Sequence, residues 1–71
     1  MEFKEALRKC RTESELSLNK LSQMTGIPYY SLINWEMGRS KPMLLPCSKL
    51  AAAFGITLDE FAVMMEEDVT T

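Results

Sequence analysis

Two short amphipathic segments meet at Gly26-Ile27-Pro28, and this junction constrains the fold more than any other feature of the chain. Glycine readily adopts the left-handed conformation that ends a helix, and proline can begin a helix but cannot continue one. Ser17 is a favourable N-cap for the first segment, and Gly38 is a stop signal after the second. Because the connection is so short, the sequence predicts two helices that cross sharply instead of packing as an antiparallel hairpin.

Helical periodicity continues through the rest of the chain, and no segment alternates with the period of a strand. Thr57-Leu58-Asp59-Glu60 is a capping box, which predicts that the last helix begins at Leu58. The predicted fold class is therefore all-α, with five short helices around one core. The other helices are predicted at about Glu2–Thr12, Ser17–Thr25, Pro28–Met37 and Leu45–Phe54. The expected inward residues are Phe3, Ala6, Leu7, Cys10, Leu21, Met24, Leu32, Trp35, Cys47, Leu50, Ala51, Phe54, Leu58, Phe61, Ala62 and Met65.

The length of 71 residues permits one small domain, expected over residues 1–65, followed by a short acidic tail at 66–71. The chain has no histidine, which excludes His-dependent zinc sites and catalytic triads, and Cys10 and Cys47 lack the spacing of a metal knuckle or a redox pair. We therefore expect no metal, no cofactor and no enzymatic activity. No apolar run has the length of a signal peptide or a membrane span, so we expect a cytoplasmic protein without a membrane partner.

The charge of the chain is unevenly distributed. The formal net charge of −2 argues at first against a nucleic-acid partner, because phosphate binding needs a basic surface. However, all eight basic residues lie within positions 1–49 beside five acids, which leaves +3 there, whereas positions 50–71 carry five acids and no base. The acidic end is therefore expected to face away from phosphate, and the first two thirds of the chain can still present a basic surface.

An ordered set of residues resembles the Cro/C1-type (Xre-family) helix-turn-helix domain of phage repressors and many bacterial regulators. The resemblance covers about residues 4–62, nearly the whole chain, and implies a lambda-repressor-like fold that binds double-stranded DNA. It is carried by Arg11, Ser17, Leu21, Gly26, Ile27, Leu32, Glu36, Gly38, Pro42, Leu50, Ala51, Phe54, Gly55, Ile56 and Leu58.

Within this resemblance the third helix is the recognition helix, and its outward residues enter the major groove. These are Tyr29, Tyr30, Ile33 and Asn34. Asparagine can bind adenine through two hydrogen bonds, tyrosine hydroxyls can donate to bases or phosphates, and apolar faces can contact thymine methyl groups. The alternative is that the two tyrosines only cover an edge of the core and that Asn34 is a solvated helix residue.

Phosphate contacts are expected from the start of the second helix and from the loop after the third. The residues are Ser17, Lys20, Arg39, Ser40 and Lys41, with Arg8 as an additional candidate. The alternative for these side chains is an ordinary solvated basic surface. The resemblance also implies that Arg11 pairs with Glu36 and fixes the angle of the recognition helix.

Relatives of this type bind two half-sites as dimers, which implies a contact through the last helix. Val63 and Met64 lie off its inward stripe, and together with Leu44, expected in the preceding loop, they are the candidate dimer surface. The alternative is that these residues wrap around the rim of the core.

The predicted function is a sequence-specific DNA-binding transcriptional regulator that acts as a repressor. Three residues depart from the pattern: Leu18 stands where the family usually has Gln, Ser22 replaces a small Ala, and Pro28 replaces a capping Ser. Leu18 cannot hydrogen-bond, and with the negative net charge it favours an alternative from another class. That alternative is a protein-interaction module of the same fold with weak DNA binding: an antitoxin-like, anti-repressor or mobile-element accessory protein.

Overall fold

The computed structural model describes residues 1–42 and 44–66, apart from the side chains of Leu44, Leu45 and Glu66. It confirms the all-α prediction, because the described residues form helices and turns with no strand, and the helix ends lie within one or two residues of those predicted. The five helices are α1 (Phe3–Glu13), α2 (Leu18–Thr25), α3 (Tyr29–Glu36), α4 (Leu44–Phe54) and α5 (Leu58–Glu66).

Side-chain caps begin two of the helices as the sequence predicts. The Ser17 hydroxyl accepts a 3.0 Å hydrogen bond from the backbone N–H of Lys20 and so satisfies a free donor at the start of α2. At α5, Thr57 Oγ1 accepts from the Glu60 N–H at 3.0 Å, and Glu60 Oε1 accepts from the Thr57 N–H at 2.9 Å. This reciprocal pair is the predicted capping box.

Three of the helices end in the same backbone arrangement, in which the residue after a left-handed residue donates its N–H to the carbonyl five positions earlier. After α3 and α4 the left-handed residue is Gly38 or Gly55, with φ of 77° and 74°. After α1 it is Glu15, with φ of 56°, although a side chain disfavours this conformation. The N–H of Leu16 still reaches the Arg11 carbonyl at 3.0 Å, so the same turn forms without a glycine.

The core lies where the inward faces of all five helices meet. Four aromatic side chains form a continuous row of ring contacts in and beside the core. The centre of the Phe3 ring lies 6.2 Å from that of Trp35 and 5.9 Å from that of Phe61, and the Phe54 ring lies 6.1 Å from Phe61. Helix α1 packs on α3 and α5, α2 packs on α3 and α4, and α4 packs on α5. The largest fully buried side chains are Phe61, Leu7, Leu21, Leu32 and Leu50.

The prediction that Met24 points into the core is wrong, because 49% of its surface is exposed. Met24 lies in the last turn of α2 beside a shallow groove that it shares with Lys49, Ala52 and Ala53. The two alanines of α4 are too short to cover the methionine. The helical spacing placed Met24 on the side of α2 that faces α4, but the apolar side chains that line the groove from α4 are too small to bury it.

The predicted acidic tail lies outside the described residues, except for the main chain of Glu66, where α5 ends. The N-terminal ammonium of Met1 donates to the carbonyls of Met64 and Met65, at 3.2 Å and 3.4 Å, so the last turn of α5 has a positive partner. Of the helices in the described residues, none is long and apolar enough to cross a membrane.

Candidate nucleic-acid interface

The turn between α2 and α3 is fixed by side-chain hydroxyls as well as by glycine. Gly26 has φ of 74°, and its N–H donates to the Ser22 carbonyl at 2.9 Å. The Ser22 hydroxyl donates to the carbonyl of Ile27, which is itself buried. Thr25 Oγ1 donates to the Leu21 carbonyl at 2.8 Å and accepts from the Ile27 N–H at 3.2 Å. Two short side chains of α2 thus make three hydrogen bonds with the backbone here, and two of these bonds join the helix to Ile27 in the turn.

The outward surface of α3 carries the four residues predicted to contact bases. Tyr30 is the most open, with 77% of its surface exposed, and Tyr29 is also exposed. Their rings lie 6.0 Å apart in an edge-to-face arrangement. Ile33 and Asn34, one turn further on, are half-buried. On the opposite side of α3, Leu32 and Trp35 enter the core, so the helix is anchored on one side and open on the other.

The basic loop begins where α3 ends and turns back towards it. The Arg39 N–H donates to the Asn34 carbonyl at 2.9 Å, and the Gly38 N–H donates to the Trp35 carbonyl at 3.2 Å. The Arg39 side chain also lies close to this turn, with Nη1 3.5 Å from Asn34 Oδ1. Arg39, Ser40 and Lys41 are all exposed. The structure thus brings a predicted phosphate-contacting residue against a predicted base-contacting one.

Glu36 joins α3 to α1 through a buried ion pair. Arg11 Nε lies 2.6 Å from Glu36 Oε2, and only 4% of the Glu36 side chain is exposed. The same guanidinium donates from Nη1 to the Leu16 carbonyl at 2.9 Å. Arg11 therefore ties together the end of α1, the loop before α2 and the end of α3. The pair that the resemblance implied is present.

Arg8 makes a second, weaker contact with the same carboxylate. Its Nε lies 3.4 Å from Glu36 Oε1, and 64% of the Arg8 side chain is exposed. From the sequence, Arg8 is predicted only as a phosphate contact, and this pairing is not foreseen. The spacing of Arg8 and Arg11 on α1 could have indicated it, since residues three apart lie on the same face of a helix.

At the start of α2, Ser17 and Lys20 are exposed and lie next to the open N-terminus of the helix. The Ser17 hydroxyl is already the N-cap, so a phosphate at this position would meet a donor group that also holds the helix. Leu18, in place of the usual Gln, is half-buried and packs against the core. This position therefore offers apolar packing and no side-chain hydrogen-bonding group.

Residues 7–61, more than half of the chain, match a family model described as Helix-turn-helix. The chain belongs to the helix-turn-helix family. The match confirms the Cro/C1-type resemblance. A curated protein of Bacillus subtilis strain 168, named as the SPbeta prophage-derived uncharacterized HTH-type transcriptional regulator YonR, is 32% identical over 57 residues. The alignment covers 80% of the present chain and 53% of that protein, so the chain spans about half the length of the curated relative.

This helix-turn-helix domain uses Ser22 and Thr25 in a way that the sequence pattern did not predict. Ser22 stood out only as a replacement for a small residue, yet its hydroxyl bonds the Ile27 carbonyl across the turn. Two hydroxyl residues spaced three apart just before a Gly-Ile-Pro turn were the available signal, because such side chains often bond nearby backbone groups.

The candidate dimer surface is only partly as predicted. Val63 is 57% exposed, as expected for a residue off the inward stripe. Met64 was expected on the same exposed surface, but it is half-buried and its sulfur lies 3.6 Å from Cys10 Sγ. The long, flexible methionine side chain folds back towards α1, where it lines a groove together with Cys10 and Phe54. Leu44 begins α4 instead of lying in a loop, and its side chain is outside the described residues.

Neither cysteine is arranged for chemistry. Both are free, and burial raises the pKa of the Cys10 thiol, an effect that the nearby Glu13 carboxylate strengthens. Burial likewise raises the pKa of Cys47. Both thiols are therefore protonated and weakly nucleophilic near neutral pH. Within residues 1–42 and 44–66, no three Cys, Asp or Glu side chains group closely enough to hold a metal ion.

Proposed function

We propose that this chain is a sequence-specific double-stranded DNA-binding transcriptional regulator that acts as a repressor. The observation that carries the proposal is the outward surface of α3, where Tyr29, Tyr30 and Asn34 project from a helix whose other side is anchored in the core. A helix held in this way can enter the major groove without losing its own packing.

The charges around α3 support the same function. Lys20 precedes the helix, and Arg39 and Lys41 follow it, so cations flank the residues proposed to contact bases. Phosphate contacts of this kind set the register and supply most of the affinity, while base contacts supply the selectivity. We assign Ser17, Lys20, Arg39, Ser40 and Lys41 to phosphate and Tyr29, Tyr30, Ile33 and Asn34 to bases. The Arg8 side chain is mostly exposed, so it can contact phosphate while it remains next to Glu36.

We propose further that the domain binds DNA as a homodimer. Val63 supports this, since an exposed β-branched residue on α5 is suited to a contact across a two-fold axis. A groove beside it is lined by Ile56, Asp59, Glu60 and Met64. The relative named as a transcriptional regulator supports the regulatory part of the proposal.

The test is a binding titration with labelled duplexes at several salt concentrations. When duplexes that bind wild-type protein are selected from a random pool, a defined sequence should be enriched. The protein should bind that sequence at least about a thousandfold tighter than a scrambled duplex. Lys41→Ala should weaken both complexes alike and reduce the magnitude of the slope of log K against log salt by about 0.9 for each bound protomer. Lys49→Ala is the matched control, because Lys49 lies on α4 beside Met24 and should leave that slope unchanged.

A second candidate function is a protein-interaction module with weak DNA binding. Two exposed apolar side chains favour it, Met24 on α2 and Val63 on α5, because such residues often mark partner surfaces. The same titration separates the two functions. Wild-type protein that binds every duplex equally, even at low salt, would exclude the regulator and leave the interaction module.

A further inference from the structure

Asn34 and Arg39 form a pair at the end of α3. Arg39 Nη1 donates to Asn34 Oδ1 at 3.5 Å, a long hydrogen bond on the exposed side of the helix. Asn34 is half-buried and Arg39 is exposed. The asparagine therefore lies at the edge of the exposed side of α3, next to the positive charge of Arg39.

The backbone fixes the position of Arg39 relative to Asn34. Gly38 takes a φ of 77°, and the Arg39 N–H donates to the Asn34 carbonyl at 2.9 Å. The main chain therefore holds Arg39 next to Asn34, independently of the contact that the Arg39 side chain makes. Lys41, only two residues later, makes no hydrogen bond to α3 in the part of the chain that the structure describes. Arg39 differs from its neighbour in this respect, although both are exposed cations of one loop.

An asparagine side chain presents one acceptor and two donors, and the orientation of its amide decides which of them faces a base. The last torsion of asparagine is broad, so a free amide would sample many orientations. A guanidinium bound to Oδ1 restricts this torsion and directs Nδ2 away from Arg39. In a groove that excludes water the charge-assisted contact becomes shorter and stronger.

We propose that Arg39 is a positioning residue for Asn34 and thereby sets the base preference at the position that Asn34 contacts. The inference rests on the proposed function, because it assigns Arg39 a part in selectivity as well as in phosphate binding. A cation that only contacts phosphate changes the affinity for every sequence by the same factor.

The test measures binding of the full chain to its selected duplex and to three single-base variants at the position where Asn34→Ala abolishes discrimination. Arg39→Ala should reduce discrimination at that position about tenfold. Adding Asn34→Ala to the Arg39→Ala variant should then reduce this discrimination only slightly further. Arg39→Lys should restore the overall affinity without the discrimination, because lysine keeps the charge but lacks the planar fork of donors. The matched control, Lys41→Ala, should weaken all four duplexes equally.

Two results would overturn the inference. The first is an Arg39→Ala variant that weakens all four duplexes by one factor and whose effect adds to that of Asn34→Ala. The second is measured in the free protein by NMR. The side-chain amide signals of Asn34 should shift in Arg39→Ala but not in Lys41→Ala. If those signals do not change in Arg39→Ala, the contact between Arg39 and Asn34 is absent. Wild-type protein without any duplex selectivity is a different result, which removes the proposed function and the inference with it.

Discussion

Arg11 and Glu36 form a 2.6 Å ion pair that joins the first helix to the end of the third. The carboxylate is almost fully buried, and the guanidinium also holds the Leu16 carbonyl. The end of α3 is therefore tied to α1 through a carboxylate that is almost fully shielded from water. Removing Glu36 leaves Arg11 without its counter-charge, and removing Arg11 leaves the buried carboxylate with only the longer contact to Arg8.

Glu36→Ala should lower the free energy of unfolding by about 3–5 kcal/mol, because it strands Arg11 beside the core. Urea denaturation monitored by circular dichroism measures this change. Arg8→Ala is the matched control: its contact with Glu36 is longer and its side chain mostly exposed, so the loss should stay under about 1 kcal/mol. An unchanged midpoint for Glu36→Ala would contradict a stabilising ion pair.

Ser22→Ala should destabilise the domain by about 1 kcal/mol, because the Ile27 carbonyl loses the hydroxyl that bonds it across the α2–α3 turn. Thermal or urea unfolding detects a change of this size. Ser48 is an exposed serine inside α4, so Ser48→Ala removes the same hydroxyl from a solvated position and should change stability by less than about 0.5 kcal/mol. Equal effects of the two substitutions would argue against the turn contact.

Glu15→Gly should stabilise the domain by roughly 0.5–1 kcal/mol. Glu15 occupies the left-handed position after α1, where Gly38 and Gly55 serve at the ends of α3 and α4. Removing the side chain relieves the strain of a positive φ, and the added freedom of the unfolded chain offsets only part of the gain.

Gly55→Ala is the reverse change and should destabilise, because alanine must adopt the φ of 74°. The added methyl group meets no other part of the fold, so the cost comes from the backbone conformation alone. The expected cost is about 1–2 kcal/mol. Comparing the urea midpoints of the two variants with wild type measures both effects. A destabilised Glu15→Gly would show that the Glu15 side chain makes a favourable interaction that outweighs the strain.

Stability should fall at alkaline pH partly because of Cys10. Burial raises its folded-state pKa above the unfolded value of about 8.5, so the folded chain holds the thiol proton more tightly. The resulting stabilisation is fully present below about pH 8.5 and is lost as pH rises through the folded-state pKa. Unfolding free energies measured from pH 7 to 10 should therefore decline less in Cys10→Ala than in wild type. Parallel curves for the two proteins would contradict this assignment.

The sequence by itself determined the helices, their caps and most of the core. These features are local: apolar spacing defines a helix face, Ser17 and Thr57 bond backbone groups three residues away, and glycine ends a helix through its own φ. For the same reason the sequence is sufficient to predict the turn at Gly26, where a left-handed glycine ends α2 and α3 begins after Pro28. The Arg11–Glu36 pair was implied only by the family resemblance, since its partners lie 25 residues apart.

Tertiary structure decided the features that depend on what lies opposite each side chain. Met24 has the spacing of a core residue and yet is exposed, because the apolar side chains that line its groove from α4 are the short ones of Ala52 and Ala53. Met64 has the spacing of a surface residue and yet its flexible side chain folds towards Cys10, with which it lines a groove beside α1. The contact of Arg39 with Asn34 likewise requires the turn at Gly38. Periodicity gives the direction in which a side chain leaves its helix, whereas burial depends on the size and distance of the neighbour that it meets.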